Sequence, residues 1–107
     1  MESMIQDTIM FDKIRMVKSI LKSDGFIIDG IFGSYARGDN TQSSDVDILY
    51  HLDNIFYNKY SGFTGFKKLD EIKEYISSVV DKKIDLAPKN NLSKTAKVYI
   101  LDEVIYI

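Results

Sequence analysis

The sequence predicts a small protein of the α/β or α+β class, in which helices pack in layers against a sheet. Two long segments carry apolar residues at the spacing of one helix face, which indicates amphipathic helices. Three short apolar runs lie between or after them and are typical of strands. Because helices and strands alternate, we expect each long helix to cover a face of the sheet.

The first helix is predicted to begin near Ser3 or Asp7 and to end by Ser23. Ser3 and Gln6 have the spacing of a capping box, in which two side chains satisfy the first backbone N–H groups. Gly25 is the expected stop, since glycine readily adopts the left-handed conformation that ends a helix. The apolar stripe of this helix consists of Ile9, Met10, Ile14, Val17, Ile20 and Leu21.

Two strands with a polar connection follow the first helix. Strand one is predicted over 26–32, and Ser34 is expected to act as the N-cap of a short helix through Arg37. A polar loop over 38–44 leads to strand two over 45–52. Alternation along strand two puts Asp45 and Asp47 on the same face.

The segment over 53–65 is both aromatic and polar, and we interpret it as a loop with a short helical piece. Its aromatic residues form a partner surface if exposed, or pack on the sheet if not; both interpretations stay open for Phe56, Tyr57, Tyr60 and Phe63. A second amphipathic helix is predicted from the spacing of Phe66, Leu69, Ile72, Ile76 and Val79 or Val80.

The last part of the chain predicts a strand, a helix and a short terminal strand. Strand three is expected over 82–87, ended by Pro88. Asn91 or Ser93 is expected to cap a helix that runs to about Leu101. The residues 104–107 complete the pattern as a terminal strand.

Composition limits the classes of protein to consider. At 107 residues, one domain spanning 1–107 is expected. The formal net charge of −2 argues against general nucleic-acid binding through a basic surface. The absence of cysteine excludes disulfides and thiolate metal sites. No secretory signal and no long apolar run stands out, so we expect a cytoplasmic protein that does not span a membrane.

Three aspartates point to a metal site. Asp45 and Asp47 lie two positions apart on a strand, about 7 Å from each other, where ionised carboxylates repel. A divalent cation would relieve that repulsion, and oxygen ligands suit Mg²⁺ or Mn²⁺. If strand three pairs beside strand two, Asp85 joins them, and three carboxylates can hold two metal ions. The competing interpretation is a solvated strand face.

The turn after strand one is the second half of the predicted site. Gly33 allows backbone N–H groups to approach a phosphate closely, and the hydroxyl of Ser34 can donate as well. Arg37 carries a fork of donors that matches phosphate oxygens. His51, at the end of strand two, is expected to be an edge residue and not a catalytic one.

At these residues the sequence resembles a known family. Gly33-Ser34, ten residues and then Asp45-Val46-Asp47 is similar to the G-S-x10-D-x-D signature of the DNA polymerase beta-like nucleotidyltransferase superfamily. The string Gly-Ser-Tyr-Ala-Arg-Gly and the later Lys-Ile-Asp-Leu-Ala resemble the minimal nucleotidyltransferases, including antitoxins of the MntA type. The resemblance covers roughly 14–107 and implies a small mixed sheet with helices packed against it.

The resemblance also implies roles for the site residues. Asp45 and Asp47 would bind two Mg²⁺ ions, and Asp85 would be the third carboxylate, ligating one metal and helping to deprotonate the attacking hydroxyl. Gly33 and Ser34 would hold the β- and γ-phosphates of ATP. Arg37 would assist them.

Many proteins of this kind are antitoxins encoded beside a HEPN-domain ribonuclease toxin, and some transfer AMP from ATP to a tyrosine of that toxin. The resemblance therefore implies a protein adenylyltransferase with a HEPN toxin as partner. A chain of this length leaves no second domain to enclose an acceptor, so a homo- or hetero-oligomer is expected. Two alternatives stay open: an antitoxin that acts by complex formation alone, and nucleotidyl transfer to a small-molecule hydroxyl.

Overall fold

The fold is seen in a computed structural model that describes residues 2–107, with side chains described from Asp7 onwards. Four strands and five α-helices alternate along this part of the chain. Short 3₁₀ turns follow α1 and β3. The elements are α1 (Glu2–Leu21), β1 (Phe26–Phe32), α2 (Ser34–Arg37), β2 (Val46–Leu52), α3 (Asn54–Lys59), α4 (Phe63–Val80), β3 (Ile84–Pro88), α5 (Lys94–Glu103) and β4 (Ile105–Tyr106).

The strands form one mixed sheet in the order β3-β2-β1-β4. Strands β1 and β2 are antiparallel, as are β1 and β4, whereas β2 and β3 are parallel. The parallel pair requires a crossover connection, which α3 and α4 supply. This arrangement confirms the predicted α+β class with a small mixed sheet.

A β-bulge at Asp29 sets which side chains of β1 face the core. The pairing register shifts between Ile28 and Gly30, so one extra residue stands on β1. As a result Ile28 and Ile31, three positions apart, are both fully buried. Gly30 allows β4 to lie close, because a Cβ there would come within 2.5 Å of the carbonyl oxygen of Ile105.

Helices α1 and α4 contribute the apolar side chains that pack on the sheet to form the core. The predicted stripe of α1 is confirmed in part: its buried members recur at helical spacing, whereas Ile9 and Ile20 are each about half exposed. In α4, Phe66 was placed on the apolar stripe but is exposed, because the face of the helix that is buried carries Ile72 and Ile76. The core includes Met10, Ile14, Val17, Leu21, Phe26, Ile28, Ile31, Val46, Ile48, Phe56, Ile72, Ile76, Val80 and Ile84.

The segment over 53–65, interpreted as a loop with a short helical piece, contains more helix than expected: all of α3 and the start of α4 at Phe63. Asp53 caps α3 by accepting from the N–H groups of Ile55 and Phe56, and this cap was not anticipated. Phe56 is buried and Tyr60 packs against the core, whereas Tyr57 and Phe63 are exposed. Packing on the sheet is therefore confirmed for two of these aromatics, and a partner surface stays a prediction for the two that are exposed.

Other helix ends agree with the sequence or correct it. Gly25 ends the first helical segment at φ 80°, as expected, and Ser93 caps α5 by accepting from the N–H of Ala96. The N-cap of α2 is Gly33 and not Ser34, which is already helical. The capping-box prediction for Ser3 and Gln6 falls on side chains outside the described ones. Within the described residues, no helix is both long enough and apolar enough to cross a membrane.

Candidate active site

One end of the sheet brings the predicted site residues together. Asp47 lies directly opposite Asp85 in the parallel register of β2 and β3, and it also pairs with Phe32, the last residue of β1. The turn that follows β1 therefore sits beside the start of β2. A cavity of about 470 Å³ opens there, lined by Phe32, Gly33, Ser34, Arg37, Ser44, Asp45, Asp47, Asp85, Ile100 and Glu103.

Gly33 is required by the backbone at this turn. Its φ of 76° and ψ of −151° lie in a region that essentially only glycine adopts. A Cβ at this position would also come within 2.1 Å of Asp47 Oδ2. The missing side chain thus allows the turn to lie directly against the Asp47 carboxylate.

Donors and a further carboxylate meet at the turn that borders the cavity. The N–H of Gly33 donates to Glu103 Oε1 at 2.9 Å. Arg37 Nη1 donates to both carboxylate oxygens of Glu103, at 3.2 and 3.0 Å, and Arg37 Nε donates to Asp39 at 3.2 Å. The hydrogen bonds with Glu103 and Asp39 raise the pKa of Arg37.

The clustered carboxylates of the cavity disfavour the ionised form of Asp47. Burial, followed by the charges of Asp85 and Asp45, raises the pKa of Asp47 to about 6. Asp47 and Asp45 are half-buried, while Asp85 is exposed on the edge strand β3. Asp47 is therefore the carboxylate whose ionised form this site destabilises most clearly.

The donor set fits a hard divalent cation such as Mg²⁺ or Mn²⁺. The three aspartates offer only oxygen ligands, and a cation between them would offset the repulsion that raises the pKa of Asp47. They line one cavity without forming a closed cluster: among the described residues, no three acidic, histidine or cysteine groups stand close enough to hold a metal ion. Ionised carboxylates repel one another unless a proton or a cation lies between them.

All six residues predicted for the site line this cavity, namely Gly33, Ser34, Arg37, Asp45, Asp47 and Asp85. His51 does not. It pairs through Nδ1 with the Asp29 carboxylate at 2.8 Å. Glu103 was missed because its contacts with Gly33 and Arg37 span 70 and 66 positions, and no local pattern signals such a pair.

The fold and this acidic, glycine-bordered cavity are those of a nucleotidyltransferase. A family model described as nucleotidyltransferase domain matches residues 14–107, and the chain belongs to this family. The family that the signature motif predicted is thereby confirmed.

Relatives in two organisms are similar over most of this chain. A Methanocaldococcus jannaschii protein provisionally named as a protein adenylyltransferase is 35% identical over 97 residues, which covers 88% of this chain and 90% of the relative. The protein adenylyltransferase MntA of Thermococcus cleftensis is 33% identical over 78 residues, covering 73% of this chain and 71% of that protein.

Two solved structures share the fold. One, described provisionally as a minimal nucleotidyltransferase, matches with a TM-score of 0.70 at 19% identity and covers 95% of both chains. The other comes from a crystal structure of a toxin–antitoxin with AMP-PNP and matches with a TM-score of 0.61 at 21% identity, covering 89% of this chain and 69% of that one. At these identities the likeness establishes the fold alone.

Proposed function

We propose that this nucleotidyltransferase transfers AMP from ATP to a tyrosine of a partner toxin and thereby neutralises it. The observation that carries the proposal is the facing of Asp47 and Asp85 across two parallel strands, with Asp45 beside them. The three aspartates and the adjacent donors of Gly33 and Arg37 line one cavity and match the two needs of the reaction, which are metal binding and phosphate binding.

The acidic wall would hold two divalent cations, Mg²⁺ or Mn²⁺. Asp45 and Asp47 are proposed as ligands to both ions and Asp85 as a ligand to one. When bound, the ions supply Lewis-acid stabilisation of the triphosphate and of the attacking oxygen. The exposed position of Asp85 leaves room for an acceptor from a second molecule, and its carboxylate would take the proton of the acceptor hydroxyl.

The turn after β1 would hold the triphosphate. The N–H of Gly33, the hydroxyl of Ser34 and the guanidinium of Arg37 would contact the β- and γ-phosphates. The acceptor oxygen then attacks the α-phosphorus, the bond from that phosphorus to the bridging oxygen breaks, and pyrophosphate leaves. The residues named here position the triphosphate, so that the reacting atoms are aligned.

The identity of the acceptor is supported by similarity. Two relatives carry the name protein adenylyltransferase, in one case provisionally, and a structure with the same fold comes from a toxin–antitoxin. A HEPN-domain ribonuclease toxin is the partner that the signature motif implies. Asp85 lines the cavity and is exposed on the edge strand of the sheet, a position that an acceptor residue of another protein could reach.

Transfer of label from α-labelled ATP to the purified partner toxin tests the proposal. We expect Mg²⁺-dependent labelling that is lost in Asp45→Asn and in Asp47→Asn. Asp102→Asn is the matched control, since it removes the same charge from an exposed position on α5 that does not line the cavity. Labelling that persists in both site variants would contradict the assignment.

Neutralisation by complex formation is the second candidate. It is favoured by the exposed aromatic side chains of Tyr57, Phe63 and Phe66 on α3 and α4, which are suited to a protein contact. Rescue of toxin-expressing cells by Asp45→Asn at equal protein levels would support sequestration. Loss of rescue with retained toxin binding would support catalysis.

A further inference from the structure

The carboxylate of Glu103 occupies the donors that the proposed function assigns to phosphate. It accepts the N–H of Gly33 at 2.9 Å and is held through both oxygens by Arg37 Nη1 at 3.2 and 3.0 Å. Backbone N–H groups and guanidinium forks are the donors that proteins recurrently use for phosphate oxygens. The Glu103 carboxylate therefore occupies the position at which an incoming phosphate would bind.

The fold fixes Glu103 in this place. It is the last residue of α5, and a single residue, Val104, connects it to β4. Strand β4 pairs with β1 at Gly30 and Ile31, close to the turn at Gly33. The absence of a side chain at Gly30 allows this approach, so the terminal segment runs along β1 and delivers the carboxylate to the cavity.

The ion pair between Arg37 and Glu103 is open to solvent, so an incoming phosphate could displace the Glu103 carboxylate. The Arg37 side chain is 49% exposed and that of Glu103 is 25% exposed, and ion pairs reached by water hold weakly. Glu103 also adds a fourth carboxylate to the cavity wall, against the single guanidinium of Arg37. This excess of negative charge repels a free polyphosphate. It repels a metal-complexed polyphosphate less, because the bound cations carry positive charge.

We propose that Glu103 is a specificity-determining residue that competes with phosphate for Gly33 and Arg37 and so favours metal-complexed over free polyphosphate. The inference rests on the proposed phosphate site. A phosphate binds only to molecules in which the donors are released, which lowers its apparent affinity by the released fraction. A pairing formed in roughly nine-tenths of molecules lowers the affinity roughly tenfold.

The test measures binding of inorganic tripolyphosphate, alone and with Mg²⁺, by ¹H–¹⁵N NMR of the Gly33 amide. Glu103→Gln keeps the shape and an acceptor for Gly33 but removes the charge that holds Arg37, and Glu103→Ala removes the acceptor too. Asp102→Asn is the matched control, with the same charge change on the exposed neighbour. Thermal unfolding of each variant verifies that it is folded.

We expect both Glu103 variants to bind free tripolyphosphate roughly tenfold more tightly than the unsubstituted chain, and the Mg²⁺ complex with a smaller gain. The control should change by less than about twofold, because its charge is outside the cavity. Unchanged or weaker binding in both variants would overturn the inference, as would an equal gain in Asp102→Asn or equal gains with and without Mg²⁺. The assay uses neither nucleotide nor acceptor, so an absence of AMP transfer would overturn the proposed function alone.

Discussion

The backbone of Gly33 lies against the carboxylate of Asp47, so closely that a Cβ on Gly33 would come within 2.1 Å of Asp47 Oδ2. Phe32 and Asp47 are paired residues of β1 and β2, so this approach follows from the hairpin itself. The contact joins the two halves of the candidate site, the turn and the acidic wall, and makes them sensitive to a single methyl group.

Gly33→Ala should therefore lower stability and disturb the site together. The backbone strain alone costs about 1–3 kcal/mol, and displacement of Asp47 adds to it. Gly38→Ala is the comparison: its φ of 83° and ψ of 13° lie in the ordinary left-handed region, and no atom lies within 4 Å of the added Cβ. Urea unfolding of both variants checks the difference. Equal losses of stability would contradict the added cost that the backbone strain of Gly33 and its contact with Asp47 predict together.

Asp47→Asn should stabilise the metal-free protein at pH 7.5. Burial and the charges of Asp85 and Asp45 raise the pKa of Asp47 from 3.8 to about 6, so its ionised form destabilises the folded state. The penalty is fully present well above pH 6, is relieved as the pH falls from about 6 to 3.8, and is lost below 3.8, where the carboxyl is protonated in both states. After allowance for solvent screening, we expect about 1–2 kcal/mol at pH 7.5.

Chemical unfolding at pH 7.5 and pH 4.5, with chelator present, checks this pH dependence. The stability difference between Asp47→Asn and the unsubstituted chain should shrink at the lower pH. Asp102→Asn, an exposed charge, should give a small difference at both values. A gain for Asp47→Asn that stays constant with pH would contradict the raised pKa as its cause.

Ser93→Ala should loosen α5 and, through it, the contact of Glu103 with Gly33. The Ser93 hydroxyl accepts from the N–H of Ala96, and loss of such a cap costs about 0.5–2 kcal/mol. Ser78→Ala is the control, since that hydroxyl donates to the carbonyl of Tyr75 within a helix. Hydrogen exchange at the Gly33 amide should accelerate only in Ser93→Ala. Unchanged exchange would show that the cap of α5 does not affect the hydrogen bond between Gly33 and Glu103.

Phe56 and Phe63, seven positions apart, should respond oppositely to truncation. Phe56 is 2% exposed and Phe63 is 93% exposed. Phe56→Ala should cost about 3–5 kcal/mol, while Phe63→Ala should stay within about 0.5 kcal/mol. Thermal and urea unfolding check both values. A large loss in Phe63→Ala would mean that its ring is covered, for example by a second copy of the chain.

The sequence predicted those parts of the fold that depend on local patterns. Strand β1 was predicted with its observed bounds, and Ser93 was one of the two caps predicted for α5, because strand propensity and capping act over a few residues. The residues of the cavity were found because glycine, serine and aspartate stand at a spacing that a known signature shares. Asp85 could be added only through the assumption that β3 pairs with β2, which the parallel register confirms.

The features that were not predicted depend on contacts between residues far apart in the sequence. The exposed Phe66 was taken for a core residue because its spacing fits the apolar stripe, and only the position of α4 on the sheet decides which side faces inward. The bounds of α3 within the segment over 53–65 were not predicted, because its aromatic residues share no single face. Glu103 reaches the cavity through β4 pairing with β1, a contact that has no local signature.

The parallel pairing of β2 with β3 also bears on the order of folding. Gly33 and Asp47 are neighbours in a hairpin that needs only the loop between β1 and β2, whereas Asp85 arrives after a crossover that contains α3 and α4. Non-local pairings form late because loop closure is entropically costly. A nascent or partly folded chain would thus hold the turn and Asp47 without the third aspartate, and chemistry that needs all three would await the finished fold.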